Sequence, residues 1–216
     1  EIYTLSYTLS LHVALPIFTA GADIAFGASV RSIGISNSTV EIRGITDATT
    51  FSLGDVGGAN VDISESSIQR INPEIELLTI GNSGSQTGRI TIDDGPGDSL
   101  GVLTSLTINA EGASGEIDLL RRLDVDGDLI VNGSRNSFNV DSGGTGTGTV
   151  TLTADSVQIN DTIEFLREGD TFSIIADTTD IELLGSVNAN TTAARWESLT
   201  LSAVGNVTLG RAAGFP

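Results

Sequence analysis

From about residue 38 onward, apolar and polar residues alternate in short runs. Val40-x-Ile42, Val61-x-Ile63, Ile90-x-Ile92, Leu106-x-Ile108, Ile117-x-Leu119 and Leu129-x-Val131 follow this pattern. Phe138-x-Val140, Val150-x-Leu152, Ile163-x-Phe165, Ile181-x-Leu183, Leu199-x-Leu201 and Val207-x-Leu209 continue it. Alternation sends every second side chain to one face, which predicts half-buried strands of about 3–5 residues. Gly81-Asn-Ser-Gly84, Asp94-Gly-Pro-Gly97 and Gly143-Gly-Thr-Gly146 separate some of the runs. Such residues supply positive φ or local side-chain hydrogen bonds and so turn the chain. Helical periodicity is weak. The best candidate, Glu65 to Leu78, is interrupted by Pro73, and a short turn is expected in 192–198 around Ala193, Ala194 and Trp196.

Many short strands with Gly-rich turns fit a sandwich, a barrel or a solenoid. Internal repetition chooses between them. Thr107-Ile-Asn-Ala110 leads to Ile117-x-Leu119, and Thr151-Leu-Thr-Ala154 leads to Val157-x-Ile159. Ser173-Ile-Ile-Ala176 leads to Ile181-x-Leu183, and Thr200-Leu-Ser-Ala203 leads to Val207-x-Leu209. The alanines lie 44, 22 and 27 residues apart. This spacing predicts an all-β, right-handed parallel β-helix with coils of about 22 residues, one coil unmarked and an insertion before the last. Residues 18–216 then form roughly nine coils, a rod on the order of 40 Å long at about 4.8 Å per coil. Ile, Leu and Val dominate, and aromatics are 5%, as expected of a narrow core with little room for rings. Ala at a strand end suits a tight corner.

Composition narrows the chemistry. The 216 residues carry 28 acids against 10 Arg and no Lys, a net charge of -18. Such a surface repels phosphate backbones, so nucleic acid is not an expected partner. Without Cys there is no disulfide framework, thiol catalysis or zinc-thiolate site. No uninterrupted apolar run reaches the length of a membrane span. The chain has no Met, which is read as truncation.

The N-terminal residues stand apart. YTLS occurs twice in succession, and no Arg precedes Arg31, so the basic start of a signal peptide is missing. EIYTLS and Thr8 to Ile17 resemble the translation of a common sequencing-adapter oligonucleotide, with Val13 departing where that frame gives Asp. Residues 1–17 are therefore expected to be non-native, and 18–216 to be the β-helix segment. The only His, His12, and both Tyr, Tyr3 and Tyr7, fall in the first part.

TLTADSVQIN (151–160) and TLSAVGNVTLG (200–210) resemble the repeats of filamentous-haemagglutinin-like exoproteins. The resemblance covers roughly 100–210 well and 38–100 loosely. These are large right-handed parallel β-helices secreted by Gram-negative bacteria. It implies export through an outer-membrane pore, a location at or outside the cell surface, and adhesive or structural work. The absence of Cys agrees, because a disulfide would cross-link a chain that must cross unfolded.

Several residue constellations bear on chemistry. Asp124, Asp126 and Asp128 resemble the start of a calcium loop, but Leu129 and Arg135 stand where the EF-hand pattern places Gly and Glu. They remain weak Ca²⁺ candidates. Asp93, Asp94 and Asp98 flank a Gly-Pro-Gly turn, and sugar-cleaving β-helices place carboxylates on strands as acid and base. The hydrolase pattern also uses His and Lys, absent after residue 17, whereas an Arg-based lyase with Ca²⁺ could use Arg121 or Arg122. Gly143–Gly148 lacks the Lys and following helix of a phosphate loop. Trp196 is expected to cover the core. Thr147-x-Thr149-x-Thr151-x-Thr153 aligns hydroxyls as ice-binding solenoids do, in a single coil.

The resulting expectation is a structural or adhesive segment of a large exoprotein, with no catalytic step and no cofactor. Its expected partners are surface glycans or proteins of host or bacterium, met by outward residues and by loop 184–198, and the secretion pore during export. A lyase-like carbohydrate-active β-helix and a β-sandwich module are the alternatives. Dispersal of Asp93, Asp98, Asp124 and Arg121 over different faces would exclude the first, and antiparallel pairing would favour the second.

Overall fold

The computed structural model describes residues 3–5, 10–11, 17–21, 23–26, 30–32, 38–55, 57–71, 74–95, 98–134, 138–142, 148–166, 169–188 and 198–210. Every strand pairing among them is parallel. The chain is thus an all-β parallel β-helix, and a β-sandwich is ruled out. Right-handed winding is the sense that parallel crossovers take.

Three sheets form its sides. The first stacks Ile17–Ala20, Thr39–Gly44, Leu77–Ile80, Ser105–Ala110, Leu129–Gly133, Val157–Ile159, Ile181–Leu183 and Val207–Leu209. The second runs Val61–Ile63, Phe51–Leu53, Ile90–Ile92, Ile117–Leu119, Phe138–Val140, Ile163–Phe165 and Val187–Asn188. The third stacks Ser99–Val102, Arg122–Val125, Thr149–Ala154, Thr171–Ala176 and Ser198–Ala203. Two further pairs, Tyr3–Leu5 with Ile24–Phe26 and Ser10–Leu11 with Arg31–Ser32, lie toward the N-terminus.

All twelve alternating runs are strands. Except in Val207–Leu209, their apolar positions pack into one column, with Val40, Ile42, Ile108, Ile117, Val150 and Ile174 each 0% exposed. Rings do enter this column. Phe51, Phe138 and Phe172 are fully buried, and the last two meet across the lumen at 6.0 Å between centroids. The core is therefore wider than the low aromatic content suggested.

Coils are longer than 22 residues on average, and among the described residues the longest sheet has eight rungs, fewer than nine. Register partners such as Leu106 and Leu129, Leu129 and Val157, or Phe138 and Ile163 set coils of about 25 residues. The alanine spacing misled because its members sit on different sheets. Ala154, Ala176 and Ala203 stack in the third sheet, whereas Ala110 pairs with Gly133 in the first. The corners absorb the variation in length.

One coil is much longer, with Phe51 paired to Ile90. Its chain leaves Phe51–Leu53, turns at Gly54, and pairs again in parallel as Val61–Ile63. Parallel strands ordinarily need a dozen or more connecting residues. Gly54 makes the short return possible. Its φ is +108°, and a Cβ there would lie 2.3 Å from the Asp93 carbonyl oxygen. The expected helix over 65–78 shrinks to one turn, Glu65–Ile68, capped by Ser64, whose hydroxyl accepts from Ser67 N–H. It buries Ile68, and Leu77–Ile80 is strand because it must pair with Thr39–Gly44. The turn expected in 192–198 lies outside the described residues, apart from Ser198, which is strand.

In-register stacking raises a problem for an acidic chain: like charges on neighbouring rungs would stand about 4.8 Å apart. Amides separate them. On the second sheet Asp118, Asn139, Glu164 and Asn188 are successive partners. The Asn139 amide donates to Asp118 and the Asn188 amide to Glu164, each at 2.7 Å. Asn109, Asn132 and Asn160 form a second amide ladder at 2.9 and 2.7 Å.

The stacked core predicts that Phe172→Ala costs about 3–5 kcal/mol, lowering the thermal midpoint by about 10 °C. The neighbouring outward Ser173→Ala should stay within about 0.5 kcal/mol. Circular dichroism melts of both variants check this contrast.

Candidate functional site

The corner between the second and third sheets collects carboxylates. Asp55 follows Phe51–Leu53, Asp93 and Asp94 follow Ile90–Ile92, and Asp98 precedes Ser99–Val102. The helical turn brings Glu65 alongside. One oxygen each from Asp55, Glu65 and Asp94 lies within 4.8 Å of the others. Backbone groups fix them: Asp55 N–H donates to Asp94 Oδ1 and Glu65 N–H to Asp55 Oδ1, both at 3.2 Å. Gln69 Nε2 donates to Glu65 Oε1 at 2.6 Å, and Gly95 N–H to Asp93 Oδ1 at 2.9 Å.

This crowding changes the acids. Desolvation pushes Asp94 above the ordinary carboxylate range, and repulsion from Asp55, Asp98 and Asp93 adds to it. Glu65 moves the same way, first through desolvation and then through Asp94, Asp55 and Asp98. Asp55, Glu65 and Asp94 are hard oxygen donors, the kind that suits a divalent cation such as Ca²⁺.

Arg121, between the second and third sheets one coil on, lies with Nε 3.7 Å from Asp93 Oδ1, while its Nη1 donates to the Ser142 carbonyl at 2.5 Å. Thus Asp93, Asp94, Asp98 and Arg121 share one corner rather than dispersing. Asp124 stands apart on the third sheet, paired with Arg122 at 2.8 Å. The calcium-loop candidates do not form a donor group of this kind. Asp126 is exposed in a turn, and Asp128 accepts from Ser156 Oγ at 2.6 Å near the first sheet.

Asp55 and Glu65 were missed in the sequence. A usable signal existed: Asp55 follows Phe51-x-Leu53 at the same offset as Asp94 follows Ile90-x-Ile92.

The threonine face extends well beyond one coil. Thr149, Thr171 and Ser198 are register partners, as are Thr151, Ser173 and Thr200, and Thr153, Ile175 and Ser202. Eight of these nine outward positions carry hydroxyls, and Ser198 Oγ donates to Thr171 Oγ1 at 2.9 Å. The result is an uncharged, hydrogen-bonding plane on a strongly acidic chain. Its repetition was hidden because Ser replaces Thr on the later rungs. Beside it, fully buried Asp170 accepts from Ser142 N–H, Ser142 Oγ and Gly148 N–H at 2.8–3.0 Å. This carboxylate ties together the ends of 143–147, which lie outside the described residues, as do Trp196, His12 and Tyr7.

Comparison with protein-family models, curated proteins and solved structures found no match to this chain. No helix among the described residues is long and apolar enough to cross a membrane.

The acidic corner sets a pH dependence. A carboxyl raised in the folded state binds its proton more tightly there than in the unfolded chain. Its stabilising contribution is complete below the ordinary carboxylate value and is lost as pH rises through the raised one. Asp94→Asn keeps the Oδ1 acceptor and removes the charge. It should raise the neutral-pH melting temperature by up to a few degrees, with the gain vanishing in acid. A lower neutral melting temperature in the calorimeter would contradict the repulsion described.

Proposed function

We propose that the chain is a rod segment of a long secreted or surface-exposed exoprotein and works as a structural and adhesive scaffold. The observation that carries this reading is the aliphatic column that runs through the stacked coils. Its inward residues on inner coils, such as Leu106, Leu129 and Ile181, are closed off from solvent. Residues 1–17 belong, in this proposal, to an adapter-derived extension and not to the natural rod.

The hydroxyl plane of the third sheet is the contact face best suited to hydroxyl-rich surface glycans, because it offers donors and acceptors without charge. Amide interleaving and the acidic surface keep the rod soluble. Absence of Cys suits unfolded export through an outer-membrane pore.

A lyase-like second reading is favoured by the meeting of Asp93 and Arg121 beside three further carboxylates. One experiment separates the two. Beads carrying the 216-residue chain should be retained on glycan-coated surfaces without releasing unsaturated products from a panel of acidic polysaccharides. Ser173→Glu with Thr200→Glu should reduce retention at least severalfold. Product release abolished by Arg121→Ala would establish the lyase reading instead, and absence of retention would refute the adhesive one.

A further inference from the structure

A second surface lies on the first sheet, at its corner with the third. A groove of about 680 Å³ runs along the solenoid axis there. Its floor includes Leu77, Leu103 and Ile130, all half-buried, and its edge carries Glu76, Asp126 and Asp128, all exposed.

The aliphatic residues are out of character with their columns. Ile130 lies in a column with Glu41, Thr79, Thr107, Gln158, Glu182 and Thr208. Leu77 lies between Thr39 and Ser105. Apart from Ile17 at the N-terminal rung, outward positions elsewhere on these columns are hydroxyls, acids or an amide, so Leu77 and Ile130 stand out among the inner rungs. Clustered aliphatics left half-open to solvent on an outward face mark interaction sites.

We propose that this groove binds a short extended peptide segment of another protein, with aliphatic side chains on the floor and Arg or Lys at the edge. The charge pattern selects this partner. Glu76, Asp126 and Asp128 all carry the same sign, and no described lining residue is cationic. Polyanions and acidic headgroups are repelled, and the described lining has no aromatic ring on which a sugar could stack. The length also fits. The lining spans four rungs, about 14 Å at about 4.8 Å each, which about four extended residues cover.

The proposal rests on the scaffold reading only in taking the partner to be another protein, and it concerns a different face from the hydroxyl plane. Its test is fluorescence anisotropy with a labelled hexapeptide alternating Arg and Leu, titrated with the 216-residue chain. Ile130→Thr alone, and together with Leu77→Thr, should weaken binding at least tenfold; both replacements match their column neighbours and should leave the circular dichroism unchanged. Asp126→Asn with Asp128→Asn should weaken it at least threefold and flatten its salt dependence. Glu182→Gln, an acid outside the groove, should have no effect. Equal binding by all variants, equal binding of a peptide alternating Arg and Ser, or no binding to the unaltered chain would overturn the proposal. Glycan retention through the third sheet would survive each of these outcomes, so the two readings fail separately.

Discussion

A strand of three residues buries two side chains and leaves both edges open, far too little to hold itself. Parallel pairing with a strand of the same register above and below supplies what is missing. Nearly every other feature of the chain follows from that arrangement. Inward positions must be apolar on every rung, because each covers the one beneath. The exposure of Val207 and Leu209 at the last described rung is the complement of this rule. Corners are free to vary in length as long as the next strand returns to register, so coils range widely around 25 residues while the sheets stay regular.

The same constraint governs charge. Stacking places equivalent positions of successive coils next to each other, and in a chain of net charge -18 this threatens a column of repelling carboxylates. Asn139 and Asn188 break one such column, while Arg89 adds an ion pair to Asp118 at 3.2 Å and another to Glu116. Burial nonetheless pushes Asp118 upward, with the Asn139 amide and Arg89 opposing the shift. Where carboxylates crowd instead, beside Asp55, burial and mutual repulsion push Glu65 and Asp94 above the ordinary carboxylate range. The chain thus tolerates concentrated negative charge at one corner and avoids it along the sheet.

The solenoid was legible because alternation is local: Ile90-x-Ile92 reads as a strand whatever it pairs with. Which sheet a strand joins was not legible, since register links residues one coil apart. Ala110 and Ala154 share a local pattern yet end on different sheets. The helix over 65–78 was overestimated for the same reason, because pairing with Thr39–Gly44 draws Leu77–Ile80 into the first sheet. At the acidic corner, Asp93, Asp94 and Asp98 were visible from the sequence, but Asp55 and Glu65 arrive through the reversal at Gly54 and a one-turn helix, which no short pattern announces. The hydroxyl plane was half visible: Thr149, Thr151 and Thr153 declare themselves, while the Ser and Thr above them acquire meaning only through register.

The central claim is that outward residues one coil apart are neighbours in a parallel stack. The chain has no cysteine, which makes this directly measurable. Thr151 and Ser173 are adjacent partners on the third sheet, and parallel neighbours about 4.8 Å apart fall within the Cα range of a disulfide. With Thr151→Cys and Ser173→Cys introduced together, mild oxidation should close an intramolecular bond, seen as a shift on a non-reducing gel. Thr151→Cys with Ser202→Cys, two rungs apart and offset along the strand, should not cross-link. Failure of the first pair, or equal cross-linking of both, would contradict the stacked solenoid.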